Sequence, residues 1–82
     1  MESHPCSLAE LENGASARVE SVQGGQVLLK RLGAMGIIPG AHLLREEGHG
    51  RGPVVVLAKG ARLALGHGMA SKIMVKKTSR HG

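Results

Sequence analysis

The sequence predicts a mainly β, small α+β domain: a five-stranded, partly open barrel with one α-helix inserted between the first and second strands. Three observations carry this. Short runs of alternating apolar and polar residues recur between glycine-rich breaks along 82 residues. Helical spacing marks one longer segment, 26–35. Leu, Ile and Val number 20 while Phe, Tyr and Trp are absent, so the core must be built from aliphatic side chains and methionine. That many branched apolar residues exclude a disordered chain. At this size one core leaves only a few kcal/mol of net stability, which argues against a buried catalytic cavity.

Ser7-Leu8-Ala9-Glu10-Leu11 has the Ser and Glu, three residues apart, of a capping box. Asn13-Gly14 limits it to one turn that lays Leu8 and Leu11 on the core. Ala15 to Val22 alternates, with Ala17 and Val19 on one side and Ser16, Arg18 and Glu20 on the other, as a half-buried strand does. Gly24-Gly25 ends it. Gln26 to Met35 places Leu28, Leu32 and Met35 at i, i+4 and i+7, with Leu29 beside them and Lys30 and Arg31 facing away. Gly36 stands where a helix C-cap glycine belongs.

Ile38-Pro39-Gly40-Ala41 matches a type II turn, because Pro presets φ at the second position and Gly accepts positive φ at the third. His42 to Glu46 reads as a strand, and His49 to Gly52 as a mobile glycine-rich loop. Pro53 to Ala58 is continuously apolar and β-branched, so it is expected to be buried on both faces. Lys59-Gly60 joins it to Ala61–Leu65 in a tight hairpin. Gly66 to Ser71 makes a short turn or a single helical turn, and Lys72 to Lys76 is the last strand, with Ile73 and Val75 on one face. Five short half-apolar strands bury their faces by closing on themselves, which gives an SH3-like, partly open barrel. The expected division is a flexible N-terminal segment 1–6, a domain 7–77 and a flexible basic tail 78–82.

Composition excludes several classes of function. A lone Cys6 gives no disulfide framework. No apolar run approaches a membrane span, and the N-terminus lacks the pattern of a signal peptide; the expected location is the cytoplasm. The net charge of +5 is uneven. Residues 1–20 hold Glu2, Glu10, Glu12 and Glu20 against Arg18, whereas the remainder holds ten Lys and Arg against Glu46 and Glu47. A basic domain invites nucleic acid as partner, but without aromatic rings it lacks the stacking platform of single-strand binders.

Five segments, taken together, resemble a known family. Leu29-Lys30-Arg31-Leu32-Gly33-Ala34-Met35-Gly36-Ile37-Ile38-Pro39-Gly40 is similar to the signature of the ferrous iron transport protein A family, the FeoA domain. Ser7–Leu11, Pro53–Val56, Gly60–Leu65 and Ala70–Val75 resemble its other motifs in the same order and spacing. The resemblance covers residues 7 to 77. It implies a small cytosolic accessory of the large membrane ferrous iron permease, a FeoB-like protein with a G-protein part, and not the pore or the GTPase itself. The same domain type ends some iron-dependent repressors. No helix-turn-helix precedes the barrel here, which favours the free-standing transport protein, held at the inner face of the membrane by its partner.

The chemistry-bearing residues are weighed against this background. Gly48-His49-Gly50-Arg51-Gly52-Pro53 does not satisfy the P-loop pattern and lacks a strand-to-helix context; it reads as a hairpin loop. His49 and His67, with Glu46 and Glu47, are candidate ligands for a divalent transition metal, iron or zinc, in a carrier role. A site needs three or four converging ligands, and solvated loop histidines are the simpler account. Cys6 has no base beside it, no Ser/His/Asp arrangement emerges, and the chain is read as no enzyme with no small-molecule substrate. The basic residues Lys30, Arg31, Arg45, Arg51, Arg62, Lys72, Lys76 and Lys77 suit ordinary solvation, nucleic acid, or an acidic partner or leaflet. Lys30, Arg31, Met35, Ile37, Ile38 and Arg62 are the expected partner-binding set, with a groove between helix and barrel. The alternative makes Leu28, Leu32 and Ile37 plain core. Exposed barrel edges also allow weak self-association.

Overall fold

In the computed structural model, residues 4–78 are described. Six antiparallel strands, β1 (Cys6–Ser7), β2 (Ser16–Val22), β3 (His42–Glu47), β4 (Val54–Ala58), β5 (Ala61–Leu65) and β6 (Ile73–Lys77), form one sheet in the order β1-β6-β2-β3-β4-β5. Two helices, α1 (Gln26–Ala34) and α2 (His67–Ala70), complete the chain. The expected mainly β, partly open architecture is therefore present, with one more strand than five and a second, one-turn helix. The extra strand is β1, too short to show a period in sequence, and it pairs Cys6 with Val75 and Ser7 with Met74. Cys6, expected in a flexible N-terminal segment, is thus the first residue of the sheet. Residues 1–3 of that segment and 79–82 of the expected basic tail lie outside the described residues.

The core is aliphatic, as the missing rings required. Leu8, Leu32, Ile37, Leu65, Ile73, Val19, Val54, Val56 and Val75 are its largest fully buried side chains. The turn after β1 lays Leu8 and Leu11 into it, and Glu10 Oε1 accepts from the Ser7 N–H at 3.2 Å, which is one half of a capping box. In β4, Val54, Val56 and Ala58 are buried while Val55 and Leu57 are only half-covered. The expectation of burial on both faces fails because nothing packs over the outer face of this antiparallel sheet to the depth of its core.

The exit of α1 is built tightly. The Ile37 N–H donates to Leu32 O at 2.9 Å and the Gly36 N–H to Gly33 O at 3.0 Å, the two bonds of a Schellman motif. Gly36 has φ +84°, and Leu32 and Ile37, joined by the first of these bonds, are both buried. The next four residues form the expected type II turn: Gly40 has φ +92° and the Ala41 N–H reaches Ile38 O at 2.9 Å. Val19 N–H to Ala41 O and Gly40 N–H to Val19 O, both 2.8 Å, clamp the turn to β2.

Two register shifts bend the sheet. One lies between Val19 and Ser21 where β2 meets β6, the other between Arg45 and Glu47 where β3 meets β4. A bulge of this kind opposes two residues to one. The second one leaves Glu46 and Glu47 free to reach the same cation on β5, Arg62.

Candidate partner-docking surface

The apolar positions of α1 do not all face inward. Leu32 is buried, and Leu28 and Met35 are half-buried against the core. One residue is about 100° of helix, so Val27 and Leu29 fall on either side of this stripe. Val27 is 74% exposed and Leu29 42%; Ile38, just past the helix, is 48% exposed, and these are the large hydrophobic side chains open to solvent. A Cβ built at Gly33 would stand 3.8 Å from Ile38 Cγ2. Leu29 is one helical turn before Gly33, so Leu29, Gly33 and Ile38 make one apolar strip along the helix flank. The strip continues into a shallow cleft lined by Ile38, Pro39, Gly40, Ala41, His42 and Lys59.

The electrostatics of this surface are one-sided. No Asp or Glu occurs from Ser21 to Arg45, so α1, its exit turn and the start of β3 carry no carboxylate. Lys30 and Arg31 are exposed on α1. Lys59 projects from the hairpin, with its Cδ 3.4 Å from where a Gly36 Cβ would lie, so its stem covers the glycine while its ammonium stays in water. Glu12, Glu20, Glu46 and Glu47 are engaged elsewhere, with Lys77, Arg18 and Arg62.

The expected partner set divides accordingly. Lys30, Arg31 and Ile38 are exposed together. Met35 is half-buried, and Ile37 is a core residue at 1% exposure, because the Schellman geometry turns it inward beside Leu32; it cannot meet a partner. Arg62 donates from Nε to Glu46 Oε1 at 2.8 Å and stands 3.6 Å from Glu47, so its charge is already answered on the outer face of the sheet. Arg45, read from sequence as a surface base, is buried at 6% exposure. Its Nε donates to Asn13 Oδ1 at 2.8 Å and its Nη1 to the carbonyls of Leu8 and Ala9 at 3.1 and 2.9 Å. It pins the first turn to β3. Sequence reading missed Leu29, His42 and Lys59 as surface neighbours of Ile38, and Val27 as an exposed residue on the opposite flank of α1; a helical wheel drawn through Leu28 would have exposed both Val27 and Leu29.

The metal candidates do not converge. Glu46 and Glu47 face Arg62, His49 and Glu47 line a separate cleft beside Pro53 and Ala64, and His67 sits on α2. Among the described residues no three His, Cys, Asp or Glu side chains are grouped to hold a metal ion. His67 Nδ1 is buried without a hydrogen-bond partner, and nothing around it completes a ligand set. Burial, with the Glu10 carboxylate adding to it, pushes the Cys6 thiol above its ordinary range.

The FeoA domain model matches residues 6–77. The chain belongs to the FeoA family. It is 35% identical over 77 residues to a Methanocaldococcus jannaschii protein assigned as an Fe(2+) transport protein A, covering 92% of this chain and 90% of that one. Among solved structures it is similar to an iron uptake regulatory protein, FeoA, with TM-score 0.87, 33% identity, and 92% and 100% of the two chains covered. It is also similar to Stenotrophomonas maltophilia FeoA complexed with zinc, a prokaryotic SH3 domain protein, with TM-score 0.74, 28% identity, and 84% and 87% covered. The FeoA fold is SH3-like, and the family is associated with ferrous iron transport and is not a known enzyme family. No helix among the described residues is long and apolar enough to cross a membrane.

Proposed function

We propose that this FeoA protein is a non-enzymatic, cytoplasmic accessory of ferrous iron uptake that docks on the G-protein part of the FeoB-like ferrous iron permease through α1 and its exit turn. The observation that carries the reading is the strip Leu29–Gly33–Ile38: apolar side chains held open to water beside Lys30 and Lys59, on a stretch without a carboxylate, with Arg31 exposed on the far flank of the same helix. Isolated exposed leucines need no explanation, but Leu29 and Ile38, joined across Gly33 into one apolar strip that runs into a cleft, mark an interaction surface. The exposed cations around them, without a carboxylate partner among the described residues, favour an acidic rim on the partner and speed its approach.

Nucleic acid is the weaker account, since phosphate binding would use the cations but leave the apolar strip in water. Pull-down from detergent-solubilised membranes, with and without GTP analogues, tests the reading. The wild-type chain is expected to retain the permease and the I38D variant to lose it. Failure of the folded wild-type chain to retain the permease under any nucleotide condition overturns it.

A further inference from the structure

The sheet ends on one side in β1, two residues long, and on the other in β5, five residues long and paired, among the described residues, with β4 alone. Edge strands are commonly blunted by proline, lysine, bulges or inward-pointing charge. Ala61-Arg62-Leu63-Ala64-Leu65 has no proline, lysine or bulge, its pairing with β4 runs without a register shift, and its one charge, Arg62, is held by Glu46 and Glu47 of β3 on the outer face of the sheet. Ala61, Arg62 and Ala64 are exposed.

The hairpin determines which main-chain groups face outward. Lys59 and Gly60 have φ +53° and +79°, a type I′ turn, whose flanking pair Ala58 and Ala61 exchanges both main-chain bonds. Bonding alternates from there, so residues 61, 63 and 65 bond to β4. Arg62 and Ala64 therefore turn their N–H and C=O groups to the open edge, where no described backbone group meets them.

We propose that this edge pairs antiparallel with β5 of a second copy, about a two-fold axis through Leu63. Side chains and the flanking turns select the register. An axis at Arg62 would set two guanidinium groups side by side, which is unfavourable, and would bring Ala64 opposite Gly60 in the turn. An axis at Ala64 would bring Arg62 opposite Gly66, whose carbonyl already accepts from the Ala70 N–H at 2.9 Å. With the axis at Leu63, Arg62 of each copy faces Ala64 of the other and four main-chain bonds form without like-charge contact. Leu63, half-buried against the core, then meets its own counterpart and the two aliphatic cores become continuous.

Sedimentation equilibrium from micromolar to millimolar protein tests it. The mass is expected to rise from 8.5 kDa toward twice that value with concentration. A64P removes one outward N–H while leaving every bond to β4, as an edge strand tolerates, and is expected to weaken association at least tenfold. In a C6S background, L63C should oxidise to a disulfide-linked dimer several-fold faster than R62C or A64C, since an unbonded cross-strand pair lies within disulfide reach. A wild-type chain that stays monomeric to millimolar concentration overturns the proposal, as does equal cross-linking at the three positions. Association of a folded A64P, verified by circular dichroism, at wild-type strength overturns it too; should A64P not fold, the cysteine series decides.

Discussion

Arg45 Nε donates to Asn13 Oδ1 at 2.8 Å across 32 residues of sequence, and the two side chains together bind the first turn to the loop after β3. Asn13 Nδ2 in turn donates to Gly48 O at 3.2 Å. Replacing Arg45 by Met would keep the stem and orphan the carbonyls of Leu8 and Ala9. We expect a loss of roughly 3 kcal/mol, the range for breaking a buried polar network. Chemical denaturation of R45M checks it; a loss below about 1 kcal/mol would mean that water replaces the guanidinium.

Gly40 has φ +92° and open space around the position of its missing Cβ. G40A therefore isolates backbone strain from packing. It should cost about 1–2 kcal/mol, whereas an alanine at Gly68, inside α2 with equally open surroundings and no left-handed φ, should cost little. Thermal unfolding of the pair distinguishes them.

Leu29 and Ile38 are open to solvent, so L29D and I38D should leave folding stability within about 0.5 kcal/mol while reducing permease retention more than tenfold. K30E with R31E should reduce retention chiefly at low salt, since exposed charges are screened beyond about 10 Å at 0.1 M. Variants that unfold, or that bind unchanged, count against the α1 surface.

Burial holds the Cys6 thiol protonated above its ordinary range. A group that binds its proton more tightly when folded stabilises the fold fully below its unfolded pKa, and the contribution is lost as pH rises through the folded value. Alkylation by iodoacetamide in the native state should be slower than for a free thiol at each pH, and C6S should flatten the alkaline decline in stability. Equal alkylation rates in native and denatured chain would remove this reading.

A single chain offers no three converging ligands among its described residues. Calorimetry with zinc or ferrous iron at micromolar protein is expected to show no stoichiometric binding. Saturation near one metal per chain would restore the carrier role for His49, His67, Glu46 and Glu47.

Sequence reading reached most of the fold because local rules and tertiary packing agree there. The α1 exit, the Pro39-Gly40 turn and the Lys59-Gly60 hairpin each need a glycine or proline at one position, and the residues stand at those positions. What it missed has non-local causes. Arg45 looks like any surface base until Asn13 and two carbonyls from another turn close around it. β1 has no period to read in two residues and exists because β6 offers an edge. The bulge at Glu46 leaves no trace in composition, yet it decides that Arg62 is spoken for. Of the candidate surface, Lys30 and Arg31 were legible from helical spacing and Ile38 from its place just past the helix, while Lys59 joins them only through the hairpin's approach to Gly36.

The pairing of β1 with β6 sets the strand that opens the sheet directly beside the strand that ends it, with Cys6 opposite Val75. A short glycine-rich connection could therefore join the two and new ends be cut at the Gly50-Arg51 loop, giving a circularly permuted chain with the same barrel. For the same reason the domain can be spliced into a surface loop of a host protein without prying the host apart, which makes it a portable module.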